Sequence, residues 1–330
     1  MSGSAPRRDH GGDLAAAAAR HGGAAEDWLD LSTGINRRPW PMPAPPAPVF
    51  RALPGAELFE AAETAARAAW SVHGGAAILP MAGAQAAIQL VPRLAPAGRA
   101  AVLSPTYNEH AAAFAAAGWR VETPTDLAAL SGFDAAVVVN PNNPDGRAHA
   151  PEALEALAER VPLLVVDESF ADPLPDLSLV HRPARPGLVA LRSFGKFHGL
   201  AGLRLGFALG MPETIARLRE MAGPWAVSGP ALWVGARALE DRAWAAAMRG
   251  QLARDAARMD RLAEAAGWRL VGGTPLFRTY RTPDAEAARE ALARARIWSR
   301  AFPYSPTWLR LGLPGPEPEW ARLEAALERL

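Results

Sequence analysis

From about residue 56 the chain alternates short apolar runs with longer alanine-rich stretches, and this alternation restricts the possible fold more than any other feature. Strand-like runs lie at 76–80, 99–103, 134–139, 162–166, 187–191 and 204–209, and helical stretches lie at about 57–70, 84–94, 107–117 and 151–160. Runs that are apolar throughout are typical of parallel strands covered by helices on both faces. The pattern therefore predicts an α/β fold with a mostly parallel sheet flanked by helices.

The two ends of the chain follow different patterns. Residues 1–50 form a polar and then proline-rich segment, which predicts an extended arm and no core of its own. A long Ala/Arg-rich helix is predicted from 242 to about 266, followed by strand-like segments near 268–280 and 296–311 and a helix near 317–329. We predict three parts: an arm at 1–50 that packs with the small domain, a large α/β domain at 51–245, and a small α+β domain at 246–330.

Composition excludes several classes of function. The chain has no cysteine, and its seven histidines show no HxxxH or HxH spacing, so we expect no metal site. A net charge of +1 gives no electrostatic reason to expect nucleic acid or a membrane as partner. The uncharged stretch 68–92 is interrupted by proline, glycine and glutamine, and the alanine run near the start is too short for a signal peptide. We expect a cytoplasmic protein.

Of the 35 basic residues only one, Lys196, is a lysine. Either cation serves on a surface, so a chain that otherwise uses arginine has a lysine either by chance or because a site requires an amine. Arginine stays protonated and is a poor nucleophile, whereas an amine can lose its proton and form a Schiff base. Lys196 is therefore a candidate nucleophile.

Polar residues follow the strand-like runs, at the edge where open α/β sheets bind their ligands. Gly83 opens a predicted helix, and the loop NPNNPDG (140–146) combines two prolines with asparagine amides. Asp167 ends an apolar run, and the sequence RSFGK (192–196) ends on Lys196. Each has a plain alternative, such as a surface turn, a helix cap or a surface charge. Grouped at one edge of the sheet, these residues are suited to bind a ligand that has one phosphate and one carbonyl carbon.

In their order and spacing, these segments resemble the fold type I pyridoxal-phosphate enzymes of the class I/II aminotransferase superfamily. The resemblance implies a seven-stranded, mostly parallel sheet, the cofactor pyridoxal 5'-phosphate (PLP) and a homodimer. It makes Lys196 the Schiff-base lysine, Asp167 the partner of the ring nitrogen, and Tyr107 a side chain that stacks on the ring. The other cofactor contacts that it implies are Asn143 at the ring hydroxyl and Gly83, Ala84, Gln85, Ser193 and Arg204 around the phosphate.

A narrower resemblance rests on DHGGDL (9–14), WLDLSTGIN (28–36) and GLAGLRLGFA (199–208). These segments are similar to the threonine-phosphate decarboxylases, the lyases of cobalamin biosynthesis that convert O-phospho-L-threonine to (R)-1-amino-2-propanol phosphate and CO2. Arg310 is the better candidate for the substrate α-carboxylate, because its planar fork suits that group. The substrate contacts that the resemblance implies are His10, Gly11, Gly34, Asn36, Asn143, Arg300 and Arg310.

Two positions depart from the family pattern. Phe170 stands where many aminotransferases have a tyrosine, and Gly34 stands where some relatives have an asparagine, with Asn36 close by. Other functions also stay open: an aminotransferase of the histidinol-phosphate type, which uses 2-oxoglutarate, or a non-catalytic binding protein of the same fold. Decarboxylation and transamination differ in which bond to Cα stands perpendicular to the cofactor ring, and the sequence does not decide this. It also leaves open phosphothreonine or phosphoserine as the substrate.

Overall fold

A computed structural model describes residues 10–330, so residues 1–9 of the predicted arm, with the start of the DHGGDL motif, lie outside the described part. The strands are β1 (Leu29–Asp30), β2 (Ala77–Met81), β3 (Arg99–Val102), β4 (Arg120–Glu122), β5 (Ala135–Val139), β6 (Leu163–Asp167), β7 (Leu188–Ser193), β8 (Gly206–Gly210), β9 (Arg269–Thr274), β10 (Phe277–Arg281), β11 (Ile297–Trp298), β12 (Arg300–Phe302) and β13 (Ser305–Gly312). The α-helices are α1 (Leu14–His21), α2 (Pro48–Arg51), α3 (Ala56–Ala69), α4 (Ala84–Leu90), α5 (Glu109–Ala116), α6 (Pro151–Ala158), α7 (Phe194–Phe197), α8 (Pro212–Ala222), α9 (Gly229–Glu240), α10 (Arg242–Ala265), α11 (Ala285–Arg294) and α12 (Glu317–Leu327).

The larger sheet has seven strands in the order β2-β8-β7-β6-β5-β3-β4. Its neighbouring strands are parallel except at β8, which runs antiparallel to both β2 and β7. The predicted α/β fold with a mostly parallel seven-stranded sheet is confirmed.

Helices cover both faces of this sheet, and strand β5 shows why its sequence is apolar throughout. Ala135 and Val137 pack in one core cluster, with side chains of α4, α5 and α8. Ala136 and Val138 pack in another cluster, on the opposite face, with side chains of α6. Because successive side chains of a strand point to opposite faces, a strand covered on both sides has no position for a polar residue until it ends.

A second sheet of four antiparallel strands, in the order β12-β13-β10-β9, forms the C-terminal part with α10, α11 and α12. The arm contributes to this part: β1 pairs in parallel with β11, and Leu29 and Leu31 are buried in the core cluster of the second sheet. The domain boundaries remain predictions, and the one at 245/246 falls within the first turns of α10, which continues to Ala265.

Some elements differ from those expected. The predicted helix 84–94 ends as an α-helix at Leu90 and continues as a 3-10 turn, Val91–Leu94, because Pro92 has no N–H for the α-helical bond. The short strand β4 and the helices α8 and α9 were not predicted. The uncharged stretch 68–92 is divided among the end of α3, β2, α4 and this turn. Within residues 10–330, no helix is long and apolar enough to cross a membrane.

Candidate active site

The loops that follow the parallel strands meet at one edge of the larger sheet and enclose a cavity of about 160 Å³. Gly83 follows β2, Asn143 follows β5, Asp167 ends β6, and Lys196 lies just after β7. Ligands of open α/β sheets bind at this edge. The cavity is also lined by Ala84, Gln85, Tyr107, Phe170, Ser193 and Arg204. The structure thus brings together the residues that the sequence assigned to the cofactor.

Lys196 lies in α7, and its Nζ is 5.6 Å from the centre of the Phe170 ring. Burial and the positive charges of Arg310 and Arg204 lower the pKa of Lys196 to about 8, although the negative charge of Asp167 acts in the opposite direction. An amine with such a pKa is neutral in a large fraction of molecules near pH 8. The neutral amine is the form that attacks a carbonyl carbon, so this environment activates Lys196 as a nucleophile.

Asp167 is buried, with 3% of its surface exposed, and has two hydrogen-bond partners. His110 Nε2 lies 2.8 Å from Oδ2, and the backbone N–H of Ser169 donates to Oδ1. Burial would raise the pKa of this carboxyl, but the contacts with His110 and Ser169 outweigh burial and lower it. Asp167 therefore stays anionic and suits a protonated ring nitrogen. The sequence interpretation missed His110, and its place three residues after Tyr107 was the available signal.

One end of the cavity is built for an anion. Gly83 has a φ of +78°, a backbone conformation that favours glycine. A Cβ at this position would stand 2.9 Å from Nη2 of Arg204, so a larger residue would displace the guanidinium. The first turn of α4 brings the backbone N–H groups of Ala84 and Gln85 to the same end. An arginine beside the first turn of a helix is a typical phosphate site. Ser193 lines this cavity as well.

Tyr107 lines the cavity beside Asn143. Its hydroxyl donates to Gln85 Oε1 over 3.3 Å, and Gln85 Nε2 in turn donates to Glu109 Oε2 over 3.1 Å. Burial and the charges of Glu109 and Asp167 raise the pKa of Tyr107 to about 12, so its hydroxyl stays protonated at neutral pH. Because the Gln85 side chain is held by Tyr107 and Glu109, its backbone N–H is the group we expect at the cofactor phosphate.

A second cavity of about 300 Å³ adjoins the first and shares Tyr107, Asn143, Phe170 and Lys196 with it. Arg300 and Arg310 line it, and they are directly opposite each other on β12 and β13. Arg310 is buried and donates through its two Nη atoms to Asn143 Oδ1 and to the carbonyl oxygen of Ser32. Like charges opposite each other destabilise a strand pair, so this arrangement favours an anionic ligand between or beside them.

His10, Gly11 and Gly34 line the second cavity as well. Asn36, the remaining substrate candidate, lines neither cavity. It is buried, its Nδ2 donates to the carbonyl oxygen of Phe197, and its Oδ1 accepts from the backbone N–H of Arg38. We therefore replace the substrate role predicted for Asn36 by a structural one: it ties the arm to the end of α7.

These groups fit PLP, the cofactor expected from the sequence. The donor set includes a nucleophilic amine at Lys196, an anionic carboxylate at Asp167 and an amide at Asn143. The space that a Cβ at Gly83 would fill lies against Arg204, where a phosphate needs room and a cation. Within residues 10–330 no group of three or more His, Asp or Glu side chains could hold a metal ion.

Comparison with known proteins identifies the family and the fold. The family model described as "Aminotransferase class I and II" matches residues 58–330. A threonine-phosphate decarboxylase of Sinorhizobium sp is 45% identical over 328 residues, which cover 97% of this chain and 98% of that protein. One from Pseudomonas aeruginosa is 44% identical over 326 residues, which cover 97% of both. The solved histidinol-phosphate aminotransferase of Sinorhizobium meliloti in complex with pyridoxal-5'-phosphate has a TM-score of 0.81 at 20% identity, over 95% of this chain and 93% of that one.

Proposed function

Because the chain belongs to the aminotransferase class I and II family, we propose that it is a PLP-dependent threonine-phosphate decarboxylase. The substrate is O-phospho-L-threonine, and the products are (R)-1-amino-2-propanol phosphate and CO2. The bond between Cα and the carboxylate breaks, and a proton replaces the carboxylate on Cα. The reaction belongs to cobalamin biosynthesis. The proposal is supported by two relatives that are named threonine-phosphate decarboxylase and are 44–45% identical over nearly the whole chain.

In the structure, the pairing of Arg300 with Arg310 beside Lys196 is the observation that carries the proposal beyond these relatives. O-phospho-L-threonine has two anionic groups, a carboxylate on Cα and a phosphate on the side chain. Two guanidinium groups at one end of the substrate cavity suit such a ligand. Arg310 is held beside Asn143 and is assigned to the carboxylate, and Arg300 and His10 are assigned to the phosphate.

When bound, PLP supplies an electron sink for the pair of electrons that the breaking bond leaves on Cα. Lys196 binds the cofactor, and Asp167, held by His110, keeps a proton on the ring nitrogen. Tyr107 packs on the ring and Asn143 donates to the ring hydroxyl. The cofactor phosphate is bound by Arg204, Ser193 and the backbone around Gly83, Ala84 and Gln85.

The arginines also decide which bond breaks, because they fix the rotation of the substrate about its Cα–N bond. A carboxylate gripped so that its bond to Cα stands perpendicular to the ring is lost as CO2. With substrate bound at the cofactor, the amine of Lys196 would be the group that holds a proton at Nζ, taken from the amine of the incoming substrate, and would deliver it to Cα. Its lowered pKa, about 8, suits both accepting and donating a proton near neutral pH.

We also propose that the enzyme is a homodimer in the cytoplasm. Phe50 and Leu53 are 64% and 66% exposed, and Trp225 is 56% exposed. Phe50 belongs to α2, which packs against α9, and Trp225 lies four residues before the start of α9. Exposed aromatic and aliphatic side chains in one region are typical of a surface that another chain covers. Light scattering after size-exclusion chromatography is expected to give twice the chain mass of 34.9 kDa, and a mass of one chain would contradict the dimer.

The activity is tested with PLP-loaded protein and O-phospho-L-threonine that carries a labelled carboxyl group, without any keto acid. Sustained catalytic release of labelled CO2 is the expected result. Amino transfer that appears only after 2-oxoglutarate is added, with no CO2, would replace the proposal by an aminotransferase of the histidinol-phosphate type. Neither reaction, with the cofactor still bound, would mean that the substrate is wrong.

A further inference from the structure

Glu109 is a carboxylate with 6% of its surface exposed, at the first residue of α5, and its contact with Gln85 uses only one of its two oxygens. It lies next to a cavity that we assign to a substrate with two anionic groups. A buried carboxylate is costly without donors, and it repels a neighbouring anion. Its position therefore requires a positively charged or donating group between it and the substrate.

The contacts of Glu109 identify such a group. Its Oε1 is 2.9 Å from Nε2 of His10, and its Oε2 accepts from Nε2 of Gln85 over 3.1 Å. His10 lines the substrate cavity, whereas Gln85 lines the cofactor cavity. Glu109 thus connects a residue at the substrate with a residue at the cofactor.

The N-terminal strap, which we define as residues 10–13, is fixed to the rest of the protein through its main chain. The backbone N–H of Gly12 donates to Ser32 Oγ over 2.7 Å. Gly11 passes so close to Ser32 that a Cβ on Gly11 would stand 2.5 Å from the Ser32 carbonyl oxygen. These two contacts place the backbone of the strap, while the ring of His10 is oriented by its contact with Glu109.

We propose that Glu109 is a positioning residue for the phosphate of the substrate, acting through His10. Because Glu109 Oε1 contacts Nε2 of His10, Nδ1 is the nitrogen of the His10 ring that remains to donate to a phosphate oxygen. A ring that donates through both nitrogens is an imidazolium, so a cation then stands between the carboxylate and the phosphate. This inference rests on the proposed function, because it takes the bound group to be a phosphate.

The consequence is a selective effect on affinity. Without the carboxylate, the ring of His10 loses the contact with Glu109 that orients it and is free to rotate. We expect the substrate phosphate to be held less tightly, while the cofactor and the bond that breaks are affected much less. A charge-assisted hydrogen bond that is lost in this way weakens binding by about tenfold or more.

The test measures binding of the product, (R)-1-amino-2-propanol phosphate, to PLP-loaded enzyme by titration calorimetry. Glu109→Gln, His10→Ala and the double variant are compared with wild type, and Glu60→Gln, an exposed carboxylate on α3, is the control for charge alone. We expect Kd to rise about tenfold in each single variant and no further in the double variant, because both remove one interaction. For O-phospho-L-threonine, KM is expected to rise much more than kcat falls, with the cofactor absorbance retained.

Any of three results would overturn the inference. Additive losses in the double variant would mean that Glu109 does not act through His10. A fall in kcat with an altered cofactor spectrum and an unchanged Kd would mean that Glu109 acts through Gln85 and Tyr107. If Glu109→Gln does not fold, Glu109→Asp alone and Glu109→Asp combined with His10→Ala give the same double-mutant comparison. A wild type that binds no phosphorylated ligand refutes the proposed function itself, whereas tight binding by both wild type and Glu109→Gln refutes only this inference.

Discussion

Gly34 lies so close to Phe170 that a Cβ on Gly34 would stand 2.7 Å from Cε1 of the Phe170 ring. The same Cβ would stand 3.0 Å from Cδ1 of Phe277, which meets Phe170 edge to face with 4.9 Å between ring centres. These rings lie between Lys196, 5.6 Å from the Phe170 ring centre, and Arg310, 5.2 Å from that of Phe277. The two departures from the family pattern, Gly34 and Phe170, are therefore parts of one packing arrangement.

Gly34→Ala tests this arrangement. The added methyl group has no room, so it is expected to displace Phe170 and to lower stability by about 1–3 kcal/mol, with a fall of about tenfold or more in kcat/KM. Denaturant unfolding and steady-state kinetics measure the two effects. Gly74→Ala is the matched control, since a Cβ there meets nothing within 4 Å. Equal behaviour of the two variants would show that the Phe170 ring can move without cost.

The acidity of Lys196 is directly measurable because the chain has no other lysine. In cofactor-free protein, the rate at which an amine reagent labels Lys196, followed by mass spectrometry of the peptide, is expected to rise with a midpoint near pH 8. Arg310→Gln removes a cation that lowers this pKa, so its midpoint is expected at a higher pH. A midpoint near 10.5, the ordinary value for lysine, would contradict the burial and charge effects derived for this residue.

Lys196→Arg keeps a positive charge at this position and removes the amine that forms the Schiff base. A guanidinium stays protonated and does not attack a carbonyl carbon, so we expect CO2 release to fall about a thousandfold or more. The protein is still expected to bind PLP through the phosphate and Asp167, but without the absorbance of the lysine-bound cofactor. Normal activity in this variant would exclude Lys196 as the nucleophile.

The contact between His110 and Asp167 predicts a shift in the pH profile. This contact helps to lower the pKa of Asp167, and the carboxylate form is the one that holds the proton of the ring nitrogen. Weakening the contact with His110→Gln raises that pKa, so activity is expected to be lost at a higher pH on the acid side. The measurement is kcat against pH, with exposed His181→Gln as the control. If the acid limb of the pH profile is the same in His110→Gln and in wild type, His110 does not set the pKa of Asp167.

The parts of the site that lie in the sheet were predictable from the sequence. Asp167 and Lys196 follow apolar strands, and parallel strands end at one edge, so their convergence follows from the pattern. Side-chain direction was not predictable in the arm: Asn36 and Gly34 are two residues apart, but only Gly34 lines the substrate cavity. The roles of His110 and Glu109 depend on contacts with Asp167 and His10, which are distant in the sequence, so spacing alone gave at most a weak signal for them.

Two of the elements that the sequence did not predict, β4 and α9, have weak local patterns, whereas α8 has an amphipathic pattern that the interpretation missed. Strand β4 has three residues and none of them is buried, so it shows no apolar run. Helix α9 begins with Gly-Pro, contains Gly235 and is buried on most sides, so it shows neither high helix propensity nor a single apolar face. It packs against α3 and α2, contacts that a local sequence pattern does not show.

Product analysis in heavy water tests the central claim, that this site breaks the bond between Cα and the carboxylate. PLP-loaded enzyme is incubated with O-phospho-L-threonine in D2O without a keto acid, and the products are followed by NMR. We predict (R)-1-amino-2-propanol phosphate with a single deuterium on the carbon that carried the carboxylate, in amounts equal to the CO2 released. Substrate that keeps its carboxylate and exchanges only its Cα hydrogen for deuterium would contradict the claim, because the site would then hold the Cα–H bond perpendicular to the ring.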